Sequence, residues 1–171
     1  WDLEKLTEII NEQNLNPKYI INTHWHDDHT RGNEDLAKEL SVKIVQHSAS
    51  QLKNDLTVSD GDSIKFGCSE LAVYHTPGHS KDSICLVGDG KIFSGDTLFV
   101  GNCGRIDLPG GSAKELYHGL FDVIANLSDD LVLYPGHDYG SSSTSTIGKE
   151  KQTNPVMQKM SENEFVERMG G

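Results

Sequence analysis

Apolar positions change their period several times along the chain, and each change predicts an element. Leu3, Leu6, Ile9 and Ile10 recur at helical spacing, which predicts a helix over 1–14, ended by Asn16-Pro17. Tyr19-Ile20-Ile21-Asn22 is a short, largely apolar run that reads as a buried strand. Gly32-Asn33 offers a cap for a short helix over 34–40, residues 43–46 read as a strand, and 48–54 as a helix. From Val58 the period shortens. Strands are expected over 63–66, 70–75, 83–87 and 91–94, with Gly67 and Asp89-Gly90 as the tight turns between them. A glycine-rich loop spans 95–111. Ser112 then caps an amphipathic helix to about Leu127, with Leu116, Leu120, Val123, Ile124 and Leu127 on one face. A strand over 131–134, a polar loop over 135–145 and helices near 146–153 and 161–169 complete the chain.

Strands and helices mix without strict alternation, and neither a repeat nor a linker divides them. That pattern predicts one layered α/β or α+β domain over 1–171, with loops gathered at one sheet edge. The 171 residues are enough for a sizeable core.

Charge narrows the partners. Fifteen basic against 26 acidic residues leave a net charge of −11, a field that repels phosphate backbones and disfavours nucleic acid. Much of that acid is solvated surface; bound divalent cations would offset part of the rest. No apolar run is long enough to span a bilayer, so no membrane partner is expected, and no signal-peptide pattern opens the chain. Trp1 stands where a start Met would, so the start reads as trimmed, with targeting information outside it. Cys68, Cys85 and Cys103 are an odd count at wide spacing, against a disulfide framework or zinc ribbon, and a reducing, cytoplasmic compartment fits them.

The chemistry concentrates in Thr23-His24-Trp25-His26-Asp27-Asp28-His29, directly after the first strand. A strand would send His24 and His26 to one face and His29 to the other, whereas a turn lets all three converge. Imidazole and carboxylate suit zinc, iron and manganese. Three further stretches share one grammar of strand, small or glycine-bearing turn, then ligand-type residue: Thr76-Pro77-Gly78-His79, Phe93-Ser94-Gly95-Asp96 and Tyr134-Pro135-Gly136-His137. Each alone is more often structural; together they bring His79, Asp96 and His137 from three strand ends toward the first cluster.

These stretches resemble the metallo-β-lactamase superfamily. THWHDDH is similar to its H-x-H-x-D-H motif, and PGHS, SGDTLF and YPGHDYG to its next three motifs, in order. The likeness is greatest to its glyoxalase II-like and persulfide dioxygenase branches. It implies a four-layer αβ/βα sandwich, α+β in class, with metals at one edge of two sheets. It implies His24, His26 and His79 around one metal, Asp28, His29 and His137 around a second, and Asp96 between them, with Asp28 and Asp96 as the catalytic carboxylates. Two divalent ions, zinc with iron or manganese as substitutes, would activate a hydroxide against a thioester such as a hydroxyacylglutathione. The alternative is a persulfide dioxygenase acting on glutathione persulfide, with a single Fe(II) on His24, His79 and Asp96. Members of the family begin with strands ahead of the first helix; this chain starts at that helix, so the first N-terminal strands are expected to be cut off or supplied differently.

Cys103-Gly104-Arg105-Ile106-Asp107 resembles the dioxygenase branch and some small glyoxalase II-like proteins. Arg105 has two readings, a clamp for a substrate carboxylate or a structural partner of Asp107. Tyr139, Cys103 and Trp25 are further candidates for substrate contact, with Cys103 also readable as a small buried residue. Trp1 and Trp25 are both candidates for the pocket mouth. Asp27 falls outside the ligand motif, and His47, His75 and His118 read as structural. A small-molecule partner is expected, and a homo-oligomer stays open.

Overall fold

The strand Ile84–Gly88 carries apolar side chains on both faces, and two layers cover it. In the computed structural model, which describes residues 3–170, Ile84 and Leu86 face one core and Cys85 and Val87 the other.

The first sheet is parallel and three-stranded. Tyr19–Ile21 (β1), Lys43–His47 (β2) and Leu56–Val58 (β3) lie in that order. The second has six strands in chain order: Ser63–Phe66 (β4), Ser69–His75 (β5), Ile84–Gly88 (β6), Lys91–Gly95 (β7), Val132–Pro135 (β8) and Ser145–Thr146 (β9). Its neighbours are antiparallel except β7 and β8, which run parallel. That exception follows from the long crossover between them, which carries the glycine-rich loop and a helix.

Among the described residues there are six α-helices: Leu3–Glu12 (α1), Asp27–Thr30 (α2), Asn33–Leu40 (α3), Ala113–His118 (α4), Ile147–Thr153 (α5) and Glu162–Arg168 (α6). Val45, Val58, Ile64, Leu71 and Val73 join Ile84 and Leu86 in the core between the sheets. Ile92 and Leu133 join Cys85 against Leu116, Leu120, Ile124, Ile147 and Phe165 of the helical layer. On the far side of the first sheet α3 rests on β1 and β2. The layers therefore run helix, sheet, sheet, helix, the expected αβ/βα order. Each fully buried Ile, Leu or Phe here contributes about 1.5–3 kcal/mol.

Three helical segments depart from the sequence expectations. Residues 48–54 are not helical. There Ala49 N–H donates to His47 Nδ1 and the Ser50 hydroxyl to Gln46 Oε1, so side chains supply the local bonds a helix would otherwise make. The segment is instead the crossover to β3, a strand the pattern did not mark. The helix expected to run to Leu127 changes character after His118, passing through a π turn over Gly119–Val123 and a 3₁₀ turn over Ile124–Asn126. Leu116, Leu120 and Ile124 stay on the buried face throughout. The histidine loop contains one full helical turn, α2, with Thr30 Oγ1 donating to the His26 carbonyl. Trp1 lies outside the described residues.

Candidate metal centre

Strands β1, β5, β7 and β8 end at one edge, and each delivers part of one cluster. β1 leads into His24, His26 and α2, β5 into His79, β7 into Asp96 and β8 into His137. Two of the turns admit only glycine. Gly78 has φ +137°, and a Cβ there would run into the backbone of Leu116, so α4 packs directly on the turn that presents His79. A Cβ on Gly136 would overlap Asp96 Oδ1 and approach His29 Cε1 to 2.9 Å, so that turn lies against two other members of the cluster.

Among the described residues three sets of side chains hold ligand atoms within 4.8 Å of one another: His24, His26 and His79; His24, His29 and Asp96; Asp28, His29 and His137. Asp96 faces both ends, with Oδ2 at 3.5 Å from His79 Nε2 and at 3.3 Å from His137 Nε2. His26 Nδ1 lies 2.8 Å from His79 Nε2. His79 Nδ1 donates to the Arg105 carbonyl at 2.6 Å, which leaves Nε2 with its lone pair turned into the cluster.

Electrostatics match a cation site. Burial, and then the neighbouring His29, hold the His24 pKa down to about 2, so its imidazole is neutral and able to ligate at ordinary pH. Burial, then His79, also lower His26. Burial disfavours the imidazolium of His29, but the carboxylates of Asp96 and Asp28 outweigh it and raise the pKa. Burial works against the Asp96 anion too, yet His29, His24 and His79 bring its pKa below the usual carboxylate range. Among the described residues buried His24 Nε2, His26 Nε2 and Asp96 Oδ1 have no hydrogen-bond partner, a costly state for polar atoms that a cation would relieve. The donor set of imidazoles and carboxylates therefore fits zinc, iron or manganese.

A cleft of about 500 Å³ opens over this cluster. Arg105, Cys103 and Tyr139 line it; Trp25 does not. The Trp25 ring lies toward Gly110, and its Nε1 is buried with no partner. Arg105 forms a two-pronged pair with Asp107, both well exposed at the rim. Tyr139 is exposed and stacks on His137, ring centroids 4.7 Å apart. Burial pushes the Cys103 thiol up to about 12, so it is neither thiolate nor nucleophile at neutral pH. Asp27 pairs with Arg31 at the surface. His47 and His75 stack on each other at 3.9 Å, and His118 bridges Asp122 and Glu162.

Sequence reasoning missed Asp82. It is buried, accepts the Ser80 hydroxyl at 2.7 Å and the Trp25 N–H at 3.4 Å, and so ties the PGHS turn to the histidine loop. Its place three residues after His79 was the available signal.

The model of the metallo-beta-lactamase superfamily matches residues 1–51 and 48–137. The human mitochondrial persulfide dioxygenase ETHE1 is 37% identical over 166 residues, 95% of this chain and 65% of that protein. A hydroxyacylglutathione hydrolase of Tolumonas auensis is 39% identical over 137 residues, 77% of this chain and 52% of that protein. The chain thus spans just under two-thirds, or about half, of the length of these curated relatives. The crystal structure of ETHE1 from Myxococcus xanthus superposes with a TM-score of 0.91 at 30% identity, over 99% of this chain and 76% of that one. Among the described residues no helix is long and apolar enough to cross a membrane.

Proposed function

Because the chain belongs to the metallo-beta-lactamase superfamily, we propose that it is a metal-dependent hydrolase of a thioester, of the class represented by hydroxyacylglutathione. The observation that carries this reading is the position of Asp96 between two ligand groups, His24, His26 and His79 on one side and Asp28, His29 and His137 on the other. In it, each group holds one divalent ion, zinc or a substitute, and Asp96 serves both. Bound ions would lower the pKa of a bound water toward neutrality and polarise a carbonyl.

The chain's own residues do the rest. The Arg105 carbonyl keeps the His79 Nε2 lone pair available, and burial disfavours protonation of His24 and His26. Asp28, half outside the cluster, is the carboxylate placed to take a proton at the cleft side, whereas buried Asp96 is held as an anion. Arg105 at the rim suits a carboxylate of the substrate, and Tyr139 over His137 offers a flat ring to its apolar part.

One observation favours a second reading, persulfide dioxygenation with a single iron. The match to the human persulfide dioxygenase runs over 95% of this chain, against 77% for the match to the Tolumonas hydrolase. The same tests decide between them. Two ions per chain with thiol release from an acylglutathione supports the hydrolase. One iron per chain with oxygen uptake on glutathione persulfide overturns it in favour of the dioxygenase.

A further inference from the structure

Behind the wall of the cleft, away from the ligands, sits a buried polar pair. Glu150 and Asn154, one turn apart near the end of α5, are 1% and 0% exposed. Three donors reach the Glu150 carboxylate. The Ser145 hydroxyl donates to Oε1 at 2.5 Å; the Gly101 N–H and the Asn154 carboxamide donate to Oε2 at 2.8 and 2.9 Å. The Asn154 carboxamide also reaches the carbonyls of Phe99 and Asn102, at 3.2 and 3.1 Å. So both residues converge on the turn over 99–102, which closes on itself through Phe99 N–H to the Asn102 carbonyl at 2.8 Å. That turn supplies Phe99, Val100, Gly101 and Asn102 to the cleft, and Phe99 meets His137 and Tyr139 edge-on.

Burying a carboxylate and a carboxamide costs several kcal/mol unless they are fully bonded. A polar pair aimed at the backbone of one turn fixes that turn in a single position. We infer that Glu150 and Asn154 are positioning residues: they set the turn over 99–102, and with it the wall of the cleft that this turn forms. They touch neither the metal ligands nor the cleft, so they act through the turn. The effect on substrate rests on the function proposed above; the position of the turn does not.

Cys103, buried just after the turn, reports on it without any substrate, and Cys85, buried in the core, serves as the internal control. On the metal-loaded full chain, Glu150→Ala and Asn154→Ala are expected to speed alkylation of Cys103 at least tenfold, with Cys85 still protected. Glu150→Gln, which keeps an acceptor for Gly101, is expected to restore slow labelling. In whichever reaction the protein performs, the alanine variants are expected to raise KM several-fold while kcat and metal content change less than twofold. Wild-type labelling of Cys103 in both alanine variants overturns the inference, as does parallel exposure of Cys85. Should the variants not fold, hydrogen exchange on the wild type decides. The Gly101 amide, in that turn, is expected to exchange as slowly as the amides of α5, and exchange at the rate of a free loop overturns it.

Discussion

His29 Nε2 and His137 Nε2 face each other at 3.1 Å, although 108 residues separate them along the chain. Each also lies near carboxylate: His29 at 3.3 Å from Asp96, His137 at 3.3 Å from Asp28. Two lone pairs so close repel unless a proton or a cation lies between them. If each ligand group holds one ion, as proposed, His137→Ala is therefore expected to lower the bound metal from two ions per chain toward one, leaving the His24, His26 and His79 group loaded. Equilibrium dialysis with elemental analysis measures it; an unchanged count would place the second ion elsewhere.

Gly136 bears on the same site from the backbone side. A methyl group there would displace Asp96 and crowd His29. Gly136→Ala is expected to weaken metal binding roughly 10–100-fold, the scale seen when the groups that orient metal ligands are disturbed, with the far-UV spectrum intact. An alanine variant that binds metal as tightly as the wild type would show that the carboxylate has room to move.

Protonation should oppose folding of the metal-free protein. His24, His26 and His47 have pKa values lowered below 6.5, so between their folded and unfolded values the unfolded chain takes up protons and the folded one does not. Their stability is fully present above about pH 6.5 and is lost as pH falls. For His24 alone the slope approaches about 1.4 kcal/mol per pH unit. His29, raised, acts in the opposite sense, but it stands against three. The urea midpoint of the metal-free protein is expected to drop between pH 7.5 and 5.5; a constant or rising midpoint counts against this account of the site.

Arg105 and Asp107 separate binding from stability. The pair is solvent-exposed, and exposed ion pairs add little to folding. Arg105→Ala is expected to leave the thermal midpoint unchanged and to raise KM roughly tenfold or more, the scale of a lost charged hydrogen bond. A shifted midpoint with an unchanged KM would assign the arginine to Asp107 alone.

Much of the fold was legible because apolar period and turn residues agree. The strands over 63–66 and 91–94 and the Asp89-Gly90 turn appear with boundaries moved by a residue at most, and the helix after them starts at its Ser112 cap as expected. What escaped was structure held from elsewhere. β3 and β9 are short strands defined by pairing with β2 and β8 rather than by pattern. The helix expected over 48–54 gave way to side-chain bonds from Gln46 and His47. In the site, ligand-type residues at strand ends could be read directly. Their supports could not, because Asp82, Glu150 and Asn154 act on partners 49 to 57 residues away along the chain.

β6 ties the two halves of the molecule together thermodynamically. Ile84 and Leu86 belong to the core between the sheets, Cys85 and Val87 to the core under the helices. Neither core can open without stripping one side of the same strand, and that strand is hydrogen-bonded to β5 and β7 on both edges. Melting of the parallel sheet and release of the helical layer are thus expected to be a single event, in which a fluorescence probe in one and a helix signal from the other trace one curve. The metal edge inherits this. Its ligands hang from strands on both sides of that shared element, so the site has no partly folded host in which to survive.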